Sequence, residues 1–335
     1  MHVLVTGGAG FIGSNYVRKL LTGELGTAVS AVTVLDKLTY AGNRANLAPV
    51  EQDGRLRFVH GDIADAVLVP QLMASVDVVV NFAAETHVDR SIDNSAEFVF
   101  TNVLGTHNLL QAALDTGVPR FIHISTDEVY GTIAEGSSTE EWPMLANSPY
   151  AASKAGADLM VRSYARTHGL NVSITRCSNN YGPYQYLEKV IPLFTTTLIR
   201  GGRVPLYGDG LHTRDWLHVD DHCRGIQIVL EQGEPGTIYN IGGGCELTNR
   251  ELTGALLKAC GADWESVREV PDRKGHDRRY SLDDTKLRRL GYRPQVGFED
   301  GIARTVAWYR ENTAWWQPLL ARDLPRPEVS PRPGS

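Results

Sequence analysis

Runs of β-branched and aliphatic residues recur along the chain, separated by stretches of helical periodicity. His2-Val3-Leu4-Val5-Thr6, Val32-Thr33-Val34-Leu35, Arg57-Phe58-Val59-His60, Asp77–Phe82, Arg120–Ile124 and Leu170–Arg176 read as strands. Val17, Leu20 and Leu21 mark a helix after the first of them. The clearest helical stretch runs from about Asn94 to Leu114. This alternation predicts a doubly wound parallel α/β sheet of Rossmann type. After Arg176 it breaks down. Asn179-Asn180-Tyr181-Gly182-Pro183 is rich in turn residues, Gly201-Gly202 marks a further turn, and Arg214–Val219 and Ile238–Ile241 read as strands. A smaller, interleaved C-terminal substrate-binding α/β domain is expected. Residues 1–176, with roughly 214–241, are assigned to dinucleotide binding, and 177–213 with 242–322 to substrate binding. The Pro- and Arg-rich stretch 323–335 is expected to be a disordered tail.

Composition narrows the function. The 335 residues can bury a large core. Net charge is −6 and no long basic run occurs, which argues against nucleic acid and anionic membranes as partners. No apolar run approaches the ~20 residues needed to span a bilayer. Cys177, Cys223, Cys245 and Cys260 form no C-x-x-C pair, so neither a metal site nor a disulfide framework is signalled. They read as buried thiols in a reducing cytoplasm. The chain enters a strand almost at once, with no signal-like hydrophobic core.

Chemistry enters at the strand ends. Gly8, Gly10 and Gly13 fit G-x-G-x-x-G between a strand and a helix. Glycine there allows a tight turn and close approach of a pyrophosphate, and the helix N-terminus offers free N–H groups. The second strand ends at Asp36, 23 residues past Gly13. That spacing suits an acid accepting from a ribose 2′-hydroxyl and repelling a 2′-phosphate, so NAD is favoured over NADP. Asp62 follows the third strand and is expected to face the adenine. Ala83-Ala84 follows the fourth and lets the backbone approach the cofactor.

Ser125-Thr126-Asp127-Glu128-Val129-Tyr130-Gly131 follows the fifth strand, at the edge where open α/β sheets hold ligands. Asn147-Ser148-Pro149-Tyr150 reads as a helix start, with Ser148 as cap and Pro149 in the first turn. Tyr150 and Lys154 then share one face. To act near neutrality the phenol must fall from about 10, a cost on the order of 4 kcal/mol that Lys154 and an oxidised nicotinamide oppose. Adjacent residues on a strand point to opposite faces, so Asp127 and Glu128 converge only if the strand ends at about Thr126. His87 and Asp89 read as members of a hydrogen-bonded loop. Asp272–Arg279 is dense in cations. With Lys189 and Arg214 it reads either as an anion cradle or as a solvated charged loop.

Together these motifs resemble the extended short-chain dehydrogenase/reductase superfamily, over Val3 to about Tyr309. Within it the chain is similar to the sugar-nucleotide 4,6-dehydratases. The closer marks are Asp36–Asn43, Ser125–Gly131, Cys177–Tyr184 and Gly275–Tyr280. The resemblance implies a lyase with bound NAD acting on dTDP-glucose, on the route to 6-deoxyhexoses. It assigns catalysis to Thr126, Asp127, Glu128, Tyr150 and Lys154. Tyr150 takes the 4-hydroxyl proton, Thr126 hydrogen-bonds that oxygen, Lys154 holds the ribose, Glu128 takes the C5 proton, and Asp127 protonates the departing 6-hydroxyl.

For the cofactor it implies Gly7, Gly10, Phe11, Ile12, Gly13, Asp36, Lys37, Thr39, Gly42, Asp62, Ile63, Phe82, Ala83, Ala84, Thr86, Thr101 and Asn180, besides Tyr150 and Lys154. For the substrate it implies Thr86, Thr126, Asn179, Glu188, Lys189, Pro205, Tyr207, Arg214, Asn249, Arg273, His276 and Arg278. It further implies a homodimer pairing the long helices after Asp93 and Pro149. Leu187 and Lys274 depart from the family, where proline is usual near the nucleotide. A UDP-sugar 4-epimerase shares the cofactor, tyrosine and lysine but lacks the Asp-Glu pair. A non-catalytic dinucleotide sensor would not need Thr126, Tyr150 and Lys154 together.

Overall fold

The apolar runs become strands of one parallel sheet. The computed structural model describes residues 1–272 and 275–323. The expectations placed on Arg273, Lys274 and the tail beyond Asp323 lie outside the described residues. The strands are β1 (His2–Thr6), β2 (Ala31–Asp36), β3 (Leu56–His60), β4 (Val78–Asn81), β5 (Arg120–Thr126) and β6 (Val172–Cys177). They continue with β7 (Asn179–Tyr181), β8 (Val204–Tyr207), β9 (Thr213–His218), β10 (Ile238–Ile241), β11 (Glu246–Thr248) and β12 (Val267–Val270). The first helices are α1 (Phe11–Thr22), α2 (Leu68–Met73), α3 (Val88–Asp93), α4 (Ser95–Phe98), α5 (Thr106–Thr116) and α6 (Pro149–His168). The later ones are α7 (Val190–Ile199), α8 (Val219–Gln232), α9 (Asn249–Cys260), α10 (Thr285–Arg289), α11 (Phe298–Glu311) and α12 (Thr313–Asp323).

Seven strands pair in the order β10-β6-β5-β4-β1-β2-β3, all parallel. The order reverses between β1 and β4, which opens a crevice at their carboxyl ends. Both faces are covered, which is why the strands are apolar throughout rather than alternating. Val3, Val5, Val32, Val34 and Ile122 pack on Tyr16, Val17 and Leu20 of α1 and Ile226 and Val229 of α8. Leu4, Leu35, Val79 and Phe121 pack on α2, α5 and α6 through Leu72, Leu109, Leu110 and Val161. Each such aliphatic side chain contributes about 1.5–3 kcal/mol by burial.

The strand expected at Arg214–Val219 forms, but outside this sheet. β9 pairs with β7 and β11 in a three-stranded sheet. Its Asp215 carboxylate accepts from the backbone N–H groups of Gly243 (2.8 Å) and Cys245 (2.7 Å) and fixes it there. β8 pairs with β12. Around these strands a separate core gathers Tyr181, Ile191, Phe194, Trp216, Leu252 and Ile302.

The long helix after Asp93 contains a π-helical turn, Val99–Gly105, between α4 and α5, which the periodicity did not foretell. Tyr186, Leu187, Tyr309, Trp316 and Leu319 form a further apolar cluster, against which Tyr40, Ala41, Trp308 and Trp315 pack. Trp315 Nε1 donates to Asn46 Oδ1 (2.9 Å), joining α12 to the segment after β2. All four thiols are free. Cys177 and Cys223 are buried, whereas Cys245 and Cys260, next to a sheet edge and at a helix end, are half-buried rather than buried. Among the described residues no helix is long and apolar enough to cross a membrane.

Candidate active site

At the carboxyl ends of β1, β4, β5 and β6 lies a cleft of ≈ 290 Å³. Its floor begins at the glycine turn. Gly7 has φ +66°, and a Cβ there would come within 2.6 Å of Ala83 N. A Cβ on Gly13 would collide with Gly7 O. The turn therefore closes only with glycine, and it brings the α1 N-terminus to the cleft. Gly10 caps α1 without a side-chain bond and the first turn carries no acid, so Phe11, Ile12 and Gly13 present backbone N–H groups.

Asp36 ends β2 and accepts from Ala9 N and Leu38 N, both at 2.8 Å. It knits the glycine turn to the segment carrying Thr39 and Gly42. Asp62 pairs with Lys37 at 2.8 Å. Gly7, Gly10, Phe11, Ile12, Gly13, Asp36, Lys37, Thr39, Gly42, Asp62, Ile63, Phe82, Ala83, Ala84, Thr86, Thr101 and Asn180 all line the cleft. A glycine cradle against a free helix N-terminus, with an acid at the next strand end, fits a dinucleotide pyrophosphate and its ribose.

β5 ends at Thr126, and a 3₁₀ turn, Asp127–Tyr130, follows. Thr126 Oγ1 accepts from Glu128 N (3.3 Å) and donates to Asp127 Oδ1 (3.2 Å). The strand alternation thus stops where convergence requires it. Thr126, Asp127 and Glu128 line one cleft with Tyr150 and Lys154. Burial pushes Asp127 well above the usual carboxylate range, and the neighbouring Glu128 charge adds to this, against the pull of Arg214. Its Oδ2 is buried without a hydrogen-bond partner. The shift is in the direction that an acid for a leaving hydroxyl needs.

Ser148 Oγ accepts from Ala151 N (3.1 Å), and Pro149 opens α6. Tyr150 and Lys154 lie one turn apart, both buried. Lys154 Nζ donates to Ile124 O (2.7 Å), and burial pushes the ammonium down to about 8. Tyr150 goes the opposite way from expectation. Burial, and then the Glu128 charge, push the phenol well above its ordinary value, opposed by a hydrogen bond with Thr126. Burial leads this rise, so lowering the phenol needs a further cation in the cleft.

The expected substrate residues fall into two groups. Thr86, Asn179, Glu188 and Lys189 line the cleft beside Thr126. Lys189 Nζ donates to Thr86 O (3.0 Å), and Glu188 accepts from Arg90 (3.1 Å). Pro205, Tyr207, Arg214, Asn249, His276 and Arg278 do not line it. Most of these gather beside the start of β9, where Asn249 N donates to His212 O (2.9 Å) and Thr213 N to Arg278 O (2.9 Å). Among the described residues of the basic stretch the cations are paired. Arg278 pairs with Asp209, Arg279 with Glu246, and His276 with Asp272 while stacking on His212. Arg214 is buried, donates to Asp277 O (2.9 Å) and lies over the Tyr280 ring. Asn147, just before the α6 cap, donates to Asp277 (2.6 Å), which ties this stretch to the start of α6.

His87 caps α3, as the hydrogen-bonded reading holds. Leu187 points away from the cleft, unlike its neighbours Tyr186 and Glu188, and is buried in the C-terminal aromatic cluster. Glu85, Ser125, Cys177, Ser178 and Gln185 also line the cleft and were not foreseen. Ser125 and Cys177 follow directly from strand ends now seen to extend to Thr126 and Cys177. Glu85 stands between the expected Ala84 and Thr86, and its signal was adjacency alone.

A doubly wound parallel sheet, with its glycine turn and Tyr150-Lys154 on one cleft, defines an extended short-chain dehydrogenase/reductase. More narrowly, the family model described as GDP-mannose 4,6 dehydratase matches residues 4–305, and the chain belongs to this dehydratase family. It is 59% identical over 325 residues to a dTDP-glucose 4,6-dehydratase of Streptomyces niveus, covering 96% of this chain and 97% of that one. It is similar to the crystal structure of DesIV, a dTDP-glucose 4,6-dehydratase of Streptomyces venezuelae with NAD and TYD bound. The TM-score is 0.94 at 65% identity, over 95% of this chain and 100% of that one. A UDP-glucose 4-epimerase of Thermotoga maritima is similar at TM-score 0.86 and 33% identity, over 93% and 100% of the two chains.

Proposed function

We infer that this chain is an NAD-dependent sugar-nucleotide dehydratase that converts dTDP-glucose to dTDP-4-keto-6-deoxyglucose. The observation that carries this reading is the end of β5 at Thr126, which turns Asp127 and Glu128 into the cleft that holds Tyr150 and Lys154. The names of the relatives at 59% and 65% identity support the same substrate.

Thr126 and Tyr150 hold the 4-hydroxyl, and Tyr150 receives its proton. Lys154 keeps positive charge beside the phenolate and holds the nicotinamide ribose. NAD held by this cleft would supply the hydride acceptor for C4 and the hydride donor for C6. The resulting 4-ketone acidifies C5–H, and Glu128 takes that proton. Asp127, kept protonated by its burial, gives its proton to the departing 6-hydroxyl. The net change is loss of one water, with the cofactor unchanged.

The reading includes a homodimer. Val99, Phe100 and Leu104 on the π turn and Leu159 on α6 are large apolar side chains left exposed on two helical stretches that pack together. A second copy of this chain would cover them. The free thiols support a reducing, cytoplasmic setting. On this reading the large sheet forms the cofactor part, and 177–218 with 242–322 the substrate part.

Incubation of the purified protein with dTDP-glucose, followed by mass spectrometry of the nucleotide sugar, tests the activity. Loss of one water without net cofactor reduction is expected. An unchanged mass with galactose formed would make the chain an epimerase instead.

A further inference from the structure

Beneath the catalytic helix, at the carboxyl end of an otherwise apolar sheet face, runs a row of buried polar side chains. Thr6 of β1, Asn81 of β4, His123 of β5 and Arg176 of β6 are all at most 1% exposed. Thr6 Oγ1 donates to Asn81 Oδ1 (2.6 Å), and Asn81 Nδ2 lies 3.1 Å from His123 Nδ1. An amide nitrogen only donates, so His123 Nδ1 accepts and a neutral ring carries its proton on Nε2. That nitrogen faces Asp158 Oδ1 at 3.6 Å. Asp158 Oδ2 accepts from Arg176 Nε at 2.8 Å.

Asp158 lies one turn beyond Lys154 on α6 and is wholly buried. Tyr150, Lys154 and Asp158 thus form a single stripe with helical spacing. Several charged or titratable groups surround Lys154. β5 and its following turn contribute His123, Asp127 and Glu128, β6 contributes Arg176 and Cys177, and its own helix contributes Tyr150 and Asp158. Two buried cations, Lys154 and Arg176, are both favoured in charged form by Asp158. Burial and the two cations together keep His123 neutral. Asp158 Oδ1 accepts no hydrogen bond. Its charge is therefore not fully committed to Arg176.

We propose that Asp158 is a positioning residue of the reaction, holding the Lys154 ammonium charged beside Tyr150, while Arg176 fixes its carboxylate. This role rests on reading Tyr150 and Lys154 as the proton-handling pair. A buried Arg–Asp pair also has a merely structural use, and removing one partner destabilises whether or not it tunes a neighbour. The two roles part in their pH dependence.

The test uses the full-length enzyme with NAD bound and follows water loss from dTDP-glucose from neutral to alkaline pH. The alkaline limb that Lys154 governs is the one missing from the residual turnover of Lys154→Met. In Asp158→Asn that limb moves to lower pH by about one unit or more, with KM changed less than about twofold. Asp158→Glu keeps it near its original position. Arg176→Gln, which leaves Asp158 to Lys154 alone, moves it to higher pH and carries the test if Asp158→Asn does not fold. A lower thermal midpoint with the limb unmoved in these variants overturns the role of Asp158. If Tyr150→Phe and Lys154→Met keep full turnover, the reading of the site itself fails.

Discussion

Tyr130 donates its hydroxyl to Asn240 Oδ1 at 2.9 Å, tying the turn that carries Asp127 and Glu128 to the edge strand β10. Asn240 in turn donates to Ser138 O (2.9 Å), and the Arg176 guanidinium lies over the Tyr130 ring at 4.8 Å. The two carboxylates therefore stand on a turn anchored from below. Tyr130→Phe leaves Asn240 Oδ1 buried without its donor and should cost about 1–3 kcal/mol of stability. Denaturant unfolding measures it; a loss within a few tenths of a kcal/mol would show that the anchor contributes little.

Glu128→Gln together with Asp127→Asn should uncouple the two halves of the reaction. Tyr150 and Lys154 remain, so C4 oxidation continues. Water loss should fall by about 10²–10⁴-fold, the usual contribution of a positioned acid or base. Near-ultraviolet absorbance of the bound cofactor should then rise on adding dTDP-glucose and persist. Dehydration at the wild-type rate would remove both carboxylates from the mechanism.

Asp127 should also leave a mark on stability. Its folded value lies above its unfolded one, so below about 4 both states bind the proton and there is no difference. As pH rises past that point the unfolded chain releases the proton while the folded protein keeps it, and the native state loses stability. Asp127→Asn carries no such proton. Thermal unfolding at several pH values should show the variant gaining on the wild type as pH rises from about 4 toward neutrality. A difference that stays flat with pH would mean that burial does not hold the proton.

The glycine turn and the catalytic motifs were legible because they are local. Gly7–Gly13, Asp36 and Tyr150-Lys154 declare themselves by spacing within a few residues or one βα unit, and Gly7, Gly10, Gly13, Asp36, Tyr150 and Lys154 all line the cleft. The convergence of Asp127 and Glu128 followed from strand geometry once β5 was ended at Thr126. What stayed hidden depends on distant parts of the chain. Leu187 sits in its place because Tyr309, Trp316 and Leu319 arrive more than a hundred residues later. β9 leaves the large sheet because Asp215 finds backbone donors at Gly243 and Cys245. The rise of Tyr150 reflects first its burial and then the Glu128 charge, which spacing alone does not reveal.

Gly7→Ala should damage cofactor binding and folding together. The added Cβ meets Ala83 N at 2.6 Å, and the backbone is held at φ +66°. Strain of this kind costs about 1–3 kcal/mol. A thermal shift without NAD and an NAD titration by calorimetry should both show the loss. Wild-type NAD affinity would mean that the turn has room the geometry denies.

Leu159→Glu should split the proposed homodimer. The side chain is 53% exposed, beside the exposed Val99 and Phe100 of the packed π turn. A charge placed against its symmetry mate would be desolvated without a partner. Sedimentation velocity should show a wild-type dimer and a monomeric variant. A wild-type monomer, or an unshifted variant, would place the interface elsewhere or remove it.

The C-terminal aromatic cluster limits how this protein can be recombined with its relatives. Tyr186 and Leu187 come from the segment after β7, Tyr40 and Ala41 from the segment after β2, and Tyr309, Trp316 and Leu319 from α11 and α12. A chimaera that exchanged only the segment around 177–213 would pair one protein's Leu187 with another's tryptophans. Grafts aimed at a new sugar nucleotide should therefore carry α11 and α12 with them as one cassette, although among the described residues neither helix lines the cleft.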